Sequence, residues 1–285
     1  MSLFTAVEMA PRDPILGLNE QFAADTNPNK VNLGVGVYYD DNGKLPLLQC
    51  VQAAEKAMMD KPTARGYLPI DGIAAYDNAV KGLVFGADSE PVTSGRVATV
   101  QAIGGTGGLK IGADFLKGLS PNATVLISDP SWENHRALFT NAGFKVDTYA
   151  YYDAAKRGVN FDGMLASLNA AAAGTIVVLH ACCHNPTGYD ITAAQWDQVV
   201  AVVKAKSLTA FLDMAYQGFG HGIAEDGAVI QKFVAAGLNF FVSTSFSKSF
   251  SLYGERVGGL SVLCADKEEA SRVLSQLKIV IRTNY

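Results

Sequence analysis

Helical patterns alternate with short apolar runs along most of this sequence, and this alternation limits the possible folds more than any other feature. From about residue 53 onward, runs such as residues 175–180 and 209–213 are apolar at consecutive positions, so both faces of each strand would be buried. The sequence therefore predicts an α/β fold with a mostly parallel central sheet and helices on both faces. In such a sheet, ligands bind beyond the carboxyl ends of the strands.

The predicted elements are bounded by β-branched runs and by capping residues. Strands are predicted at residues 96–103, 123–128, 145–149, 175–180, 209–213, 239–244 and 259–264. Helices are predicted at residues 107–117, 132–141 and around 228–235, and after the capping pairs Thr192 with Gln195 and Asp266 with Glu269. Residues 1–45 are irregular, with prolines at positions 11, 14 and 28 and a Gly34/Gly36 pair, which indicates an arm and a short connecting segment.

The composition argues against several classes of partner. The chain of 285 residues is 49% hydrophobic and carries a net charge of -4, which gives no reason to expect nucleic acid or an anionic membrane as partner. It shows no secretory signal and no apolar run long enough to span a bilayer. Four cysteines in a chain of this size suggest reduced thiols, so we expect a cytoplasmic protein.

Lys248 lies between two serines in a turn that follows the predicted strand at residues 239–244. A lysine amine at a strand end can form a Schiff base with an aldehyde cofactor, and the hydroxyls of the serines around it, Ser245 among them, can bind an anion. The planar guanidinium of Arg256 suits a phosphate. Lysines and arginines are common on loop surfaces, so these residues alone leave a plain surface location as the alternative.

Two further strand ends carry residues that suit a heterocyclic ligand. Asp213 ends the predicted strand at residues 209–213, where a carboxylate can pair with a protonated pyridine nitrogen, and the phenol of Tyr216 follows. The indole of Trp132 opens a helix after a strand and could stack on a flat ring. The alternatives are that Asp213 caps a turn and that Trp132 packs in the core.

The segment at residues 180–188 holds two cysteines and two histidines, which invites a zinc interpretation. Adjacent cysteines point to opposite faces of an extended chain, and structural zinc sites place two or more residues between paired ligands. We therefore expect no metal, and instead a tight Asn-Pro-x-Gly turn that presents the Asn185 amide to a ligand.

Glycines surround Gly105 and Thr106 between a predicted strand and a predicted helix. Backbone N–H groups at a helix N-terminus bind phosphate, and glycines let the anion approach closely. The glycine spacing matches neither a dinucleotide fingerprint nor a P-loop. The loop thus indicates a phosphate without saying which one.

In this order, these segments together resemble the fold-type-I class I aminotransferases, in the aspartate and aromatic amino-acid aminotransferase family. The resemblance covers essentially the whole chain, through residues 13–18, 32–38, 66–72, 104–107, 130–132, 183–188, 213–216 and 245–256. It implies the pyridoxal-phosphate-dependent transferase fold type I. Residues 46–285 would form the large cofactor-binding domain, and residues 1–45 an N-terminal arm and a segment of the small domain.

The resemblance implies pyridoxal 5′-phosphate as the cofactor and a homodimer with shared active sites. Lys248 would hold the cofactor as a Schiff base and shuttle a proton, with Asp213 and Tyr216 completing the catalytic set. Cofactor-binding residues would be Gly105, Thr106, Trp132, Asn185, Asp213, Tyr216, Ser245, Lys248, Arg256 and, from the other subunit, Tyr67. Substrate-binding residues would be Gly36, Trp132, Asn185 and Arg282. His135 and His180 would lie behind Asp213.

The implied reaction exchanges an amino group between an L-amino acid and a 2-oxo acid in a ping-pong sequence. Arg282 matches the arginine that reaches across the dimer to the distal carboxylate of a dicarboxylic substrate; its alternative is a charge on an exposed helix face. Tyr39 and Leu45 are bulkier and less polar than the pair in aspartate-preferring members. This favours an enzyme that accepts aromatic amino acids and uses 2-oxoglutarate, with an aspartate-specific enzyme as the alternative.

The family's pattern continues beyond Tyr285 by on the order of 100 residues. That segment completes the small domain and carries the arginine for the substrate's α-carboxylate. The sequence therefore leaves open a cofactor-binding fragment without full activity, and also another reaction on the same scaffold, β-elimination or decarboxylation, against which Arg282 argues.

Overall fold

A computed structural model of the chain describes residues 2–11, 16–32, 34 and 36–285. The chain separates into two compact units, Met1–Leu47 and Leu48–Tyr285. Within the matched segments named above, residues 13–15, 33 and 35 lie outside the described residues. The assignment of residues 1–45 to an arm and a small-domain segment stays a prediction.

The first unit holds little regular structure. A 3-10 helix at Leu3–Ala6 precedes the helix α1, Leu16–Ala24. The Lys30 ammonium donates to the carbonyl of Asp25, 2.6 Å away, and lies over the Phe22 ring, 4.4 Å from its centroid. This cation therefore satisfies a carbonyl just beyond the end of α1, where helix carbonyls lack intrahelical partners.

The second unit alternates helices and strands along the chain. Its helices are α2 (Gln49–Asp60), α3 (Ala74–Phe85), α4 (Glu90–Thr93), α5 (Gly104–Leu119), α6 (Glu133–Asn141), α7 (Phe161–Ala170), α8 (Ala193–Ala205), α9 (Ile223–Ala235) and α10 (Lys267–Arg282). Its strands are β1 (Val97–Ile103), β2 (Thr124–Asp129), β3 (Lys145–Ala150), β4 (Tyr152–Asp153), β5 (Gly158–Val159), β6 (Ile176–His180), β7 (Thr209–Met214), β8 (Phe240–Ser245) and β9 (Val257–Leu263). No helix among the described residues is both long and apolar enough to cross a membrane.

A seven-stranded sheet in the order β1-β9-β8-β7-β6-β2-β3 forms the centre of the second unit. Neighbouring strands from β8 through β3 pair in parallel, whereas β9 runs antiparallel to both β8 and β1. The predicted α/β fold with a mostly parallel sheet is confirmed. β4 and β5 form a separate two-stranded sheet.

Helices cover both faces of the sheet because successive side chains of the central strands point to opposite sides. In β6, Val177 and Leu179 belong to one buried apolar cluster, and Ile176 and Val178 belong to another. Helices α3, α7, α8 and α9 contribute to the first cluster, and α5, α6 and α10 to the second. Burial on both faces explains why these strands are apolar at consecutive positions.

The capping signals are confirmed, and α5 begins earlier than predicted. Thr192 and Gln195 form the reciprocal capping box of α8, and Asp266 accepts the Glu269 N–H at 2.7 Å. Helix α5 begins at Gly104 instead of residue 107. Glycine lowers the intrinsic helix signal, but a Cβ on Gly108 would lie 2.7 Å from the Gly259 carbonyl oxygen, so glycine lets α5 pack tightly on β9.

Asp77, in the first turn of α3, is a buried carboxyl that is only 7% exposed, and its Oδ1 has no hydrogen-bond partner among the described residues. Burial, and then the nearby Asp71, raise its pKa to about 7, whereas Lys81 lowers it. Because the folded-state pKa lies above the unfolded value of 3.8, Asp77 costs increasing stability as the pH rises from 3.8 through 7.

We therefore expect Asp77→Asn to raise the free energy of unfolding above pH 7 by about 2 kcal/mol, because the amide cannot ionise. The gain should shrink toward pH 3.8, where the carboxyl is protonated in both states. Thermal unfolding as a function of pH measures the effect, with the exposed Asp88→Asn as control. A gain that is independent of pH would contradict this explanation.

Candidate functional site

The site lies at the carboxyl edge of the sheet, in loops that follow β1, β6, β7 and β8. The antiparallel β9 begins at this same edge, because Val257 pairs with Ile103 of β1 and Gly258 with Ser245 of β8. This reversal brings Arg256, the residue before β9, next to the glycine loop that begins α5.

A directional hydrogen-bond chain runs from Asn185 to Asp213. The Asn185 N–H donates to His180 Nδ1 at 3.4 Å, and His180 Nε2 lies 3.4 Å from the Ser131 hydroxyl oxygen. Ser131 Oγ lies 2.9 Å from His135 Nδ1, and His135 Nε2 lies 2.8 Å from Asp213 Oδ2. With both imidazoles neutral, each group along this series of hydrogen bonds can donate to the next one. His180 donates to Ser131, Ser131 donates to His135, and His135 donates to the Asp213 carboxylate.

Burial disfavours the charged forms of two histidines of this cluster, His180 and His184. Burial, together with the neighbouring imidazoles, holds the pKa of His180 well below its usual value. His184 stacks on Tyr151 at 3.8 Å between ring centroids, and burial lowers its pKa to about 4. The Asp213 carboxylate is 6% exposed and accepts a hydrogen bond from His135, so it is held among buried aromatic rings.

The predicted Asn-Pro-x-Gly turn is confirmed. The Gly188 N–H donates to the His184 carbonyl at 2.7 Å, and Gly188 adopts a φ of +69°. The buried His184 side chain fastens the turn to the sheet, because its ring nitrogens lie 2.8 Å from Thr187 Oγ1 and 2.9 Å from Ser128 Oγ at the end of β2. These bonds place Asn185 at a defined position.

Lys248 is half-buried and faces polar groups of the site. Its ammonium nitrogen lies 4.9 Å from the centroid of the Tyr216 ring, and the Asn185 amide donates to the Tyr216 hydroxyl at 3.4 Å. Burial lowers the pKa of Lys248, the nearby Asp213 raises it, and Arg256 lowers it. A lysine in these surroundings loses its proton more readily than a surface lysine and becomes a better nucleophile.

A cradle of groups suited to an anion forms where α5, β8 and β9 meet. Gly104 adopts a φ of +67°, and a Cβ there would lie 2.9 Å from the Arg256 guanidinium. Gly105 is equally close to β8, because its Cβ would lie 3.0 Å from the Ser245 Cβ. With Thr106 in the first turn of α5, the cradle combines helix N–H groups, hydroxyls and a cation, which is the donor set that a phosphate requires.

Two serines of the site were not predicted from the sequence to make the contacts found here. Ser131 joins His135 to His180, and its position four residues before His135 was the available signal. Ser247 is buried and accepts a 3.3 Å bond from the Arg256 guanidinium, which also donates to the Tyr253 carbonyl at 3.1 Å. Ser247 was recognised as a neighbour of Lys248 but not as a contact of Arg256.

Three more predicted site residues of the second unit, Trp132, Tyr67 and Arg282, lie away from this cluster or at its margin. Trp132 is half-buried, packs against the apolar cluster of α5 and α6, and has its ring 5.3 Å from that of His135. Tyr67 is fully exposed and lines a cavity of about 660 Å³ together with Arg256 and Arg282, which ends α10. Gly36 lies, exposed, in the first unit.

The expectation that Cys182 and Cys183 point to opposite faces is wrong. The segment bends instead of extending, with a φ of +50° at Cys183, and the two sulfur atoms and a carboxylate oxygen of Asp226 all lie within 4.8 Å of one another. The alternation of side chains holds for a strand, and this turn follows β6.

Comparisons with known proteins extend these observations. The family model for class I and II aminotransferases matches residues 28–285. The chain is 66% identical to an aspartate aminotransferase of Pseudomonas aeruginosa and 51% identical to a tyrosine aminotransferase of Klebsiella pneumoniae, with 72% of each relative covered. A crystal structure of the aromatic-amino-acid aminotransferase from Burkholderia pseudomallei, covalently bound to pyridoxal phosphate, superposes with a TM-score of 0.98 at 68% identity. The match covers 100% of this chain and 71% of that one.

Proposed function

This chain belongs to the class I and II aminotransferase family, and we propose that it exchanges an amino group between an L-amino acid and a 2-oxo acid with pyridoxal 5′-phosphate as cofactor. One observation carries the proposal: a half-buried lysine amine, a buried carboxylate and an anion cradle converge at the carboxyl edge of one sheet. The relatives include aspartate, tyrosine and aromatic-amino-acid aminotransferases.

The site residues fit pyridoxal phosphate. The glycines of the cradle let Arg256 and Ser245 lie close to the start of α5, and the donors gathered there are those of a phosphate site. Gly105, Thr106, Ser245 and Arg256 would hold the phosphate. The buried Asp213 carboxylate would hold a protonated ring nitrogen, which pairs the buried negative charge with a positive one.

When bound, pyridoxal phosphate supplies an aldehyde for condensation with amines and a ring that accepts electron density. The His135 N–H would donate to the Asp213 carboxylate and orient it toward the ring nitrogen. Tyr216 and Asn185, bonded to each other at 3.4 Å, would orient the ring through its hydroxyl, and Trp132 would cover one ring face. Lys248 would hold the cofactor and then move the proton at the substrate's Cα, because burial lowers its pKa and the amine therefore gives up a proton more readily than a surface lysine does.

We propose a homodimer in which Tyr67 binds the phosphate, and Arg282 the distal substrate carboxylate, of the partner's site. The exposure of Tyr67 and of Arg282, and the cavity that they line, support this arrangement. Gly36 would line the substrate pocket through its backbone. The free cysteines support a reducing, cytoplasmic location.

We propose that the amino-acid substrate is aromatic and that 2-oxoglutarate or glutamate is the partner substrate. Tyr39 and Leu45 support this choice because they are large side chains of low polarity, and both are exposed in the first unit. An aspartate-specific enzyme is the second candidate, and the 66% identity to an aspartate aminotransferase favours it.

Transamination assays on the full chain test the proposed reaction and the proposed choice of substrates. We expect turnover of phenylalanine and tyrosine with 2-oxoglutarate. We also expect Arg282→Ala to raise the KM for 2-oxoglutarate about 10²-fold while changing that for phenylalanine little, since only the dicarboxylate loses a charge-assisted contact. The exposed Arg272→Ala, on the same helix, is the control. Turnover of aspartate alone would favour an aspartate-specific enzyme. If no amino acid is converted, this chain binds the cofactor without catalysing transamination.

A further inference from the structure

Two adjacent cysteines in the loop after β6 converge although no part of the proposed mechanism uses them. Cys182 is buried, Cys183 is half-buried, and both are free thiols. The carboxylate of Asp190 holds the bend by accepting the N–H of Cys183 at 2.7 Å and the N–H of His184 at 2.8 Å. We propose that Cys182 and Cys183 form a reversible oxidation site, at which a peroxide converts the two thiols into a disulfide between adjacent residues.

The two thiols are chemically unequal. The hydrogen bond between them lowers the pKa of Cys183 and raises that of Cys182, while burial and the acidic neighbours Asp190 and Asp226 raise both. Cys183 is also the more exposed thiol. Cys183 is therefore the thiol that ionises and reacts with the oxidant first, and Cys182 is the thiol that then closes the disulfide.

The reaction is balanced with hydrogen peroxide as the oxidant. The Cys183 thiolate attacks one peroxide oxygen, an S–O bond forms, the O–O bond breaks, and hydroxide leaves and takes up a proton as water. The Cys182 sulfur then attacks the sulfenic sulfur, the S–S bond forms, the S–O bond breaks, and a second water leaves. Two thiols are oxidised and one peroxide is reduced to two waters.

A bridge between adjacent residues would be readily reversible. Their Cα atoms lie about 3.8 Å apart, below the usual range of about 4.4–6.8 Å for disulfides, so the bridge is strained and easily reduced by dithiols. The pair also borders the proposed active site, because the Cys183 thiol donates to the Tyr216 carbonyl at 3.9 Å.

A metal site is a less well supported interpretation of the two thiols and Asp226 than a redox-active thiol pair. The Asp226 carboxylate already accepts N–H groups of Gly218, Gly220 and His221, each within 2.9 Å. With the two sulfurs it offers three groups, one short of a closed tetrahedral zinc site.

Peptide mapping of the full chain after hydrogen peroxide treatment and thiol alkylation tests the proposal without any enzyme assay. We expect the peptide with Cys182 and Cys183 to escape alkylation and to lack two hydrogen atoms, and dithiothreitol to restore both thiols. In Cys182→Ser, Cys183 should instead proceed to sulfinic acid. The exposed Cys50→Ser is the matched control and should leave the bridge unchanged, and the buried Cys264 should stay reduced.

Phenylarsine oxide, which condenses with two neighbouring thiols and releases water, gives a second measurement. We expect each chain to bind one arsenical that a monothiol does not remove and a dithiol does. Neither Cys182→Ser nor Cys183→Ser should retain the arsenical in the presence of a monothiol. The proposal is overturned if both thiols remain alkylatable after peroxide has oxidised Cys50. Arrest of wild-type Cys183 at sulfinic acid, or failure to retain the arsenical, would overturn it as well.

Discussion

Replacing Lys248 with alanine is expected to abolish covalent capture of pyridoxal phosphate and to lower turnover on the order of 10⁴-fold or more, because the chain loses both its nucleophile and its proton carrier. Burial lowers the pKa of Lys248, so its amine is prepared for both tasks. Borohydride reduction followed by peptide mapping measures capture directly, since reduction makes the bond to the lysine permanent. This measurement does not depend on turnover.

Two further variants separate the amine from its charge. Lys248→Arg keeps a positive charge in place of the ammonium that lies 4.9 Å from the centroid of the Tyr216 ring. The guanidinium is not a nucleophile, so Lys248→Arg should fail to capture the cofactor, as Lys248→Ala does. The exposed Lys145→Ala, on β3, should capture the cofactor as the unchanged chain does. Cofactor fixed to another lysine in the unchanged chain would refute the assignment of Lys248.

Replacing Asp213 with asparagine is expected to lower kcat/KM on the order of 10³-fold, about 4 kcal/mol, with little change in fold. The amide has nearly the same shape, but it carries no negative charge to hold a protonated ring nitrogen. The buried position, 6% exposed, makes this loss larger than it would be in water, because the low-polarity surroundings do not screen the charge.

The binding constant for pyridoxal phosphate and the kcat/KM of the same samples measure this effect. His135→Ala should give a smaller loss, since it removes the 2.8 Å bond to Asp213 but leaves the carboxylate. The exposed Asp147→Asn, on β3, is the charge-matched control. Unchanged kinetics in Asp213→Asn would show that the carboxylate serves only the hydrogen-bond chain to His135.

Much of the fold could be predicted from local chemistry. Consecutive apolar residues such as Val177 and Val178 identify strands buried on both faces, and Thr192 with Gln195 marks a helix start through bonds within four residues. The start of α5 could not be placed, because the local cost of its glycines is offset by packing against β9.

The candidate site, like the fold, could be predicted from the sequence only in part. The sequence by itself determined which residue types follow which strands, and hence that Lys248, Asp213 and Asn185 share one edge of a parallel sheet. It could not determine that β9 runs antiparallel and carries Arg256 to the glycine loop, because strand direction depends on pairing between distant segments.

The tertiary structure alone decided the contacts that bridge separate loops. Ser131 joins His135 to His180 across segments 49 residues apart, and no local pattern specifies such a bond. The bend at Cys183 likewise depends on Asp190, seven residues away, whose carboxylate draws two N–H groups together and turns both thiols to one side. Local sequence determines which groups are available, and the packing of distant segments decides which of them meet.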